Sequence, residues 1–300
     1  MPGTRLHADE VDIDPHLVER LVRHQFPQWA GLPVAPVDSA GTDNAIYRLG
    51  GDMAVRVPRH PRAAPQIEKE QRWLPKLAPQ LPLAVPLPLG AGEPAEGYPW
   101  PWSIRRWLDG KSALVAPVAD QHRLALDLAG FIAALQAIDP SGGPRPGAHN
   151  FGRGVPLAER DTRVRSAIAA LDGGVDIDAA THAWKAALQA PVWDGPPVWL
   201  HGDLLPGNLL IHDGRLSGVI DFGGLAVGDP ACDLFPVWTL LDREAREVFR
   251  EALAVDHATW ERGRGWALSM GLIVLPYYRD TNPTLVGIAR RAIDAVLGAT

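Results

Sequence analysis

Apolar side chains near the start of the chain recur with helical spacing: between Asp14 and Phe26 they fall at Leu17, Val18, Leu21, Val22 and Phe26, and Asp14-Pro15 suits the start of such a helix. The pattern then shortens. Val37–Ala40, Ala45–Leu49 and Met53–Val57 read as strands, with Gly50-Gly51-Asp52 as a tight turn, so a small antiparallel meander is expected. Helical spacing returns at Ile67, Trp73, Leu74 and Leu77. The prolines of Leu81–Pro88 then impose extended chain, because each fixes φ and disfavours helix before it. Trp102–Trp107 is a further strand candidate, ending at Leu108-Asp109-Gly110, where the joint between two parts of the chain is expected. Beyond the joint, Leu124, Leu128, Phe131, Ile132, Leu135 and Ile138 trace one face of a helix. Segments 163–171, 179–188, 243–253, 260–275 and 285–297 also read as helices, and the Pro- and Gly-rich Ser141–Gly147 as a loop. Within this helical part, Val198–Leu200 reads as a strand, and Leu209–Ile211 and Leu216–Ile220 flank a hairpin turn at His212-Asp213-Gly214-Arg215.

Three hundred residues exceed what one hydrophobic core usually organises, so two lobes or two domains are expected. With 46% apolar and 21% charged residues the composition is that of an ordinary globular protein. Asp and Glu outnumber Lys and Arg, 35 to 29, which leaves no basic stripe for a phosphate backbone and argues against a nucleic-acid partner. The same excess favours a cationic small-molecule partner, although a modest negative charge also serves solubility alone. Cys232 is the single cysteine, so no intrachain disulfide or thiolate metal cluster is possible, which agrees with a reducing cytoplasm. The first ten residues lack the apolar run of a signal peptide, and no stretch of eighteen apolar residues escapes a charge, so no membrane span is expected.

Chemistry concentrates in His201-Gly202-Asp203-Leu204-Leu205-Pro206-Gly207-Asn208 and, beyond the hairpin, in Ile220-Asp221-Phe222-Gly223. Asp203 suits the acceptance of a hydrogen bond, and later a proton, from a hydroxyl. Asn208 and Asp221 supply oxygens of the kind that hold Mg²⁺ against nucleotide phosphates, since hard cations take oxygen ligands. The order Asp, four residues, Asn, then Asp-Phe-Gly matches the catalytic and metal signatures of protein kinases, except that Gly202 stands where those enzymes carry Arg. Either tripeptide alone is an ordinary turn. Together they lie at opposite sequence ends of one hairpin and can converge.

With Pro206 and Gly207 before Asn208, and Gly228-Asp229-Pro230 and Asp233-Leu234 after the second motif, the chain resembles the aminoglycoside phosphotransferase family of protein-kinase-like small-molecule kinases. The resemblance covers most of the chain. It implies an α+β, two-lobed kinase-like fold: a small antiparallel-sheet lobe at 1–107 that binds nucleotide and includes the hinge strand, and a larger, mostly helical catalytic and acceptor-binding lobe at 108–300. The implied reaction moves the γ-phosphoryl group of ATP or GTP, with Mg²⁺, to a hydroxyl of a small acceptor. An aminoglycoside, a macrolide, another antibiotic and a metabolic alcohol or amino-sugar all remain open, as do a monomer and a dimer. Ser39-Ala40-Gly41-Thr42-Asp43-Asn44 is the candidate phosphate cover, with Gly41, Thr42 and Asn44 as contacts, or else a plain hairpin turn. Arg56 stands where the family usually has Lys, with Glu70 as its implied partner and Glu68 as a rival, while Lys69 should point to another helical face. A nucleotide base would meet unpaired backbone N–H and C=O groups of Arg105, Arg106 and Trp107, the Trp107 ring itself reading as a core aromatic. The resemblance further implies that His201 pins the catalytic loop and that Asp229 and Asp233 buttress it. Asp280, in Tyr277-Tyr278-Arg279-Asp280-Thr281-Asn282-Pro283, is the candidate acceptor contact.

Other readings compete. Arg56 at the Lys position keeps open a nucleotide-binding protein without turnover. Gly110-Lys111-Ser112 echoes a phosphate-binding loop, but Arg105 occupies the position where the first Gly of that frame belongs. Ala267-Leu268-Ser269-Met270-Gly271 resembles a nucleophile elbow, and a hydrolase using Ser269 is the more distant rival, although the segment lies within a helical apolar pattern.

Overall fold

Six helices begin on a side-chain oxygen that accepts the backbone N–H three residues on: Asp14, Asp120, Asp176, Asp242, Asp256 and Asn282. These caps punctuate an apolar pattern that would otherwise fix helix positions only loosely. The computed structural model describes residues 11–37, 43–171 and 173–298. Its helices are α1 (Pro15–Gln25), α2 (Ala64–Leu77), α3 (Gln121–Ala137), α4 (Asp161–Ala169), α5 (Ile177–Gln189), α6 (Phe235–Thr239), α7 (Arg243–Ala252), α8 (His257–Tyr278) and α9 (Pro283–Leu297). The strands are β1 (Val34–Pro36), β2 (Asn44–Leu49), β3 (Met53–Pro58), β4 (Pro88–Gly92), β5 (Trp102–Arg106), β6 (Lys111–Ser112), β7 (Val198–Leu200), β8 (Leu209–His212), β9 (Arg215–Val219) and β10 (Ala226–Gly228).

The N-terminal lobe is an antiparallel sheet in the order β1-β2-β3-β5-β4, with α1 and α2 outside it. The helical lobe follows, carrying the hairpin β8–β9 and the pair β7–β10. Each lobe has its own apolar core. One gathers Leu17, Leu21, Val55, Trp102 and Ile104, and the other Phe131, Trp184, Trp199, Phe249 and Trp266. Helix α2 bridges them, because Trp73, Leu74 and Leu77 near its C-terminus join the larger core. No helix among the described residues is long and apolar enough to cross a membrane.

Several boundaries differ from the sequence pattern. The first strand is Val34–Pro36 instead of Val37–Ala40, whose last three residues lie outside the described residues. Its register onto β2, Val34 opposite Leu49, is set by pairing, to which alternation along so short a segment is blind. Helix α2 starts before Ile67, with Pro65 in its first turn, where a missing N–H costs nothing. Strands β4, β6 and β10 carry too few side chains to show a period. Lys111 and Ser112 of the false phosphate loop form β6 against β8. Ser269 lies fully buried inside α8 and accepts from Arg160 Nε at 2.7 Å, so the strand-to-helix turn a nucleophile elbow requires is absent at that position.

Candidate functional site

Pairing alone stacks the two motif loops. Strand β7 leads into His201–Asn208, and Leu209 at the start of β8 faces Val219 at the end of β9, so both loops leave the same open end of the hairpin. The N–H of Ile220 donates to the Asn208 carbonyl at 2.9 Å. After Asp221-Phe222-Gly223 the chain returns as β10, which pairs with β7, Leu200 opposite Ala226, and presses the loops together. At their contact Gly202 has φ +78°, and a Cβ there would lie 2.5 Å from the Gly224 carbonyl oxygen. No side chain fits, which explains the absence of the Arg that protein kinases carry at this place. Gly202→Ala is expected to cost roughly 1–3 kcal/mol of stability, read from urea unfolding, and an unchanged midpoint would contradict the packing.

The loop is pinned from three sides. Asp233 accepts from the backbone N–H groups of His201 (2.6 Å) and Gly202 (2.7 Å). Buried His201 sets its Nε2 3.1 Å from the Ile220 carbonyl, while its Nδ1 accepts from Asp203 N–H at 3.1 Å. Those bonds assign the neutral tautomer protonated at Nε2, and burial pushes the ring's pKa down to about 4. Asp229 caps Ala231 and takes both ends of the Arg262 fork, at 2.8 and 3.2 Å.

Asp203, Asn208 and Asp221 come together. Asn208 Nδ2 donates to the Asp203 carbonyl at 2.8 Å and to its carboxylate at 3.3 Å, which turns Oδ1 of the amide the other way. Asp221, held at φ +63°, accepts at Oδ1 from Arg56 at 2.8 Å and from Gly223 N–H at 3.4 Å. An amide oxygen and a carboxylate oxygen are thus left to face a hard cation, a donor set suited to Mg²⁺. Arg153 Nη1 lies 2.7 Å from Asp203 Oδ1. Burial pushes the Asp203 carboxyl up to about 6 against the pull of that guanidinium.

Arg56 reaches Glu70 at 2.8 and 3.0 Å, and Gln66 at 3.1 Å. Turned so that its oxygen faces Arg56, the Asn44 amide accepts from Nε at 3.0 Å and Nη2 at 2.8 Å. Glu68 takes no part in this pairing, and Glu70 is the helix residue that meets Arg56. The Arg105 side chain, on which the sequence is silent, is buried and gives a second guanidinium to Glu70. The hinge also differs, because Arg106 N–H is bonded to the Leu87 carbonyl and Trp107 N–H to the Asp52 carbonyl, each at 2.8 Å. Those donors were expected to be unpaired; sheet pairing that continues one residue past β5 consumes them. The Trp107 ring is half-buried under the Arg48 guanidinium, 4.0 Å from its centroid, and belongs to neither core. Gly41 and Thr42 lie outside the described residues. Asp280 is exposed beyond the end of α8.

Arg153, Lys69 and Gln66 join this cluster, and the sequence pattern does not single them out. Lys69 does leave the Glu70 face, but it enters the site, donating to the Gly223 carbonyl at 2.5 Å, and burial pushes its pKa down to about 8. Gln66 precedes Glu70 by four residues, a same-face spacing that was available as a signal. For Arg153 the signal was the flanking glycines, Gly152 and Gly154, both at positive φ.

Solved structures share this architecture. The GDP and kanamycin complex of APH(2")-IIia superposes with a TM-score of 0.74 at 21% identity, covering 96% of this chain and 100% of that one. The GDP complex of wild-type aminoglycoside 2'-phosphotransferase-IIIa gives 0.75 at 20%, covering 96% and 99%. Macrolide 2'-phosphotransferase MphH from Brachybacterium faecium gives 0.60 at 24%, covering 96% and 98%. No curated protein matches the chain. Residues 35–266, which include every paired motif described above, match the model of the phosphotransferase enzyme family, and the chain belongs to that family.

Proposed function

We propose that the chain is a kinase of small molecules, moving the γ-phosphoryl group of ATP or GTP to an acceptor hydroxyl. The observation that carries the proposal is the position of Asn208, bonded to Asp203 on one side and to Ile220, next to Asp221, on the other. Asp203 accepts the hydroxyl hydrogen, aligns the oxygen for attack, and takes the proton as the new bond forms. Arg153 favours the ionised form of Asp203 and steadies its orientation. Arg56, fixed by Glu70, directs positive charge toward the phosphates, as the Lys of protein kinases does. Asn208 and Asp221 would hold Mg²⁺, which offsets charge on the phosphates when bound. The neutral His201 and the carboxylate of Asp233 keep the loop in place without touching the reacting atoms.

The test is nucleotide consumption, with ATP and GTP compared, across aminoglycosides, macrolides and small alcohols. Acceptor-dependent consumption that needs Mg²⁺ is expected, and none with any acceptor would favour a nucleotide-binding protein without turnover. Arg56→Gln is expected to raise the nucleotide KM by about tenfold, the scale of one lost charge-assisted hydrogen bond. An unaltered KM would remove Arg56 from phosphate binding.

A further inference from the structure

Beside Asp203 the surface dips into a shallow depression lined by Leu205 and Met270, with the buried Cys232 and Phe235 beneath them. These side chains offer hydrocarbon and a buried thiol, and no charge. Met270 lies on α8, and Val274 and Tyr277 follow it at four- and seven-residue steps, so the same helix face continues for ~10 Å at 1.5 Å per residue. It ends on the Tyr277 ring, 62% exposed. Across the catalytic loop, the Phe151 ring is also exposed, with the Arg153 guanidinium 5.6 Å from its centroid.

Asp280 is exposed three residues beyond Tyr277, while the carboxylates at the loop end of the wall already face guanidiniums or backbone N–H groups. Asp203 Oδ1 is on Arg153, both oxygens of Asp233 are on backbone N–H groups, and both oxygens of Asp229 are on Arg262. Behind the wall Arg160 is 7% exposed. Its Nε donates to Ser269 and its Nη1 lies 3.5 Å from the Phe151 carbonyl, and among the described residues no carboxylate is within ion-pair distance of it. Buried guanidinium charge without a counter-ion repels ammonium groups, and an ammonium that loses water here gains no partner. Hydrocarbon, in contrast, gains roughly 25 cal/mol for each Å² removed from water.

Resting on the kinase reading above, we infer that the acceptor is an alcohol that lays a hydrocarbon face on Leu205, Met270 and Val274, and that it carries no cluster of ammonium groups there. The wall then selects the acceptor, while Asp203 handles its hydroxyl. At the loop end of this surface the one lining acid is Asp203, beside Arg153.

The test is binding, measured calorimetrically with Mg²⁺ and a non-transferable nucleotide analogue present. The probes are neutral alkyl glucosides from methyl to hexyl, which join hydroxyls to a graded hydrocarbon, and kanamycin as a polycation. Affinity is expected to rise roughly two- to fourfold per methylene and to exceed that for kanamycin at the hexyl end. Met270→Glu should flatten the series, and Met270→Leu, which keeps the volume and the apolar character, should preserve it and report on folding. A series that is flat in the unaltered protein, or kanamycin bound as tightly as the hexyl glucoside, overturns the inference. Failure to transfer phosphate to any alcohol would instead strike the kinase reading, since these binding results do not require transfer.

Discussion

Replacing Asp203 by Asn is expected to lower kcat by roughly 10²–10⁴-fold, the usual contribution of a positioned acid–base group, and to leave nucleotide affinity nearly unchanged. The amide keeps the shape and the contact with Asn208 but cannot take the acceptor's proton. Single-turnover kinetics beside nucleotide titration separate the two quantities, and full activity in the variant would take the proton-accepting role away from Asp203. The unaltered enzyme should show the same chemistry in its pH profile. Burial pushes the Asp203 carboxyl up to about 6, with Arg153 opposing. Below that value the acid is protonated and accepts nothing, so kcat/KM falls as pH drops through about 6 and levels off above it. A divalent cation at Asn208 and Asp221 pulls in the same direction as Arg153, which moves the limb lower at saturating Mg²⁺.

Glu70→Ala is expected to remove about 3–5 kcal/mol of stability, the scale of a broken buried ion pair. Glu70 is 0% exposed and sits between two guanidiniums, Arg56 and Arg105, that are themselves buried. Without the carboxylate both charges stay in the interior with too few acceptors. Urea unfolding measures the loss, and one below about 1 kcal/mol would show that water or a side-chain shift relieves the arginines. Burial acts to raise the Glu70 pKa, but Arg105 and Arg56 outweigh it and hold the carboxyl down to about 2. Because the folded value is depressed, this stabilisation is complete above about 4.5, the ordinary value, and is lost as pH falls toward 2. Nucleotide binding should weaken in the same variant, since Arg56 then keeps only Asp221, Gln66 and Asn44 to orient it.

The elements most legible in the sequence were those with many turns or a strong terminator. Helix α3 shows its buried face through Leu124, Leu128, Phe131, Ile132 and Leu135. Strand β7 and the hairpin β8–β9 were also readable, because the Asp213-Gly214 turn admits few alternatives. Strands β4, β6 and β10 were not, being defined by partners 10 to 100 residues away and not by their own side chains. The convergence of Asp203, Asn208 and Asp221 was legible because their spacing is short and the hairpin between them is local. Arg153 and Arg105 were not, since nothing near them in sequence shows which carboxylate each will meet. The expectation of open hinge donors at Arg106 and Trp107 failed for the same reason: Leu87 and Asp52 are distant in sequence and near in space.

By itself, then, the order of residues determined the two motif loops, the hairpin joining them, the division into a strand-rich and a helix-rich part, and the reaction class that those groups suit. Each of these depends on interactions within a few turns of chain, and local spacing encodes them. Only the tertiary structure decided that Glu70 serves two arginines, that Arg153 meets Asp203, and that Leu205 and Met270 flank Asp203 although the chain as a whole is acidic. Those facts arise where segments distant in sequence exclude water together, and burial, which sets the cost of every unpaired charge, is a property of the packed molecule.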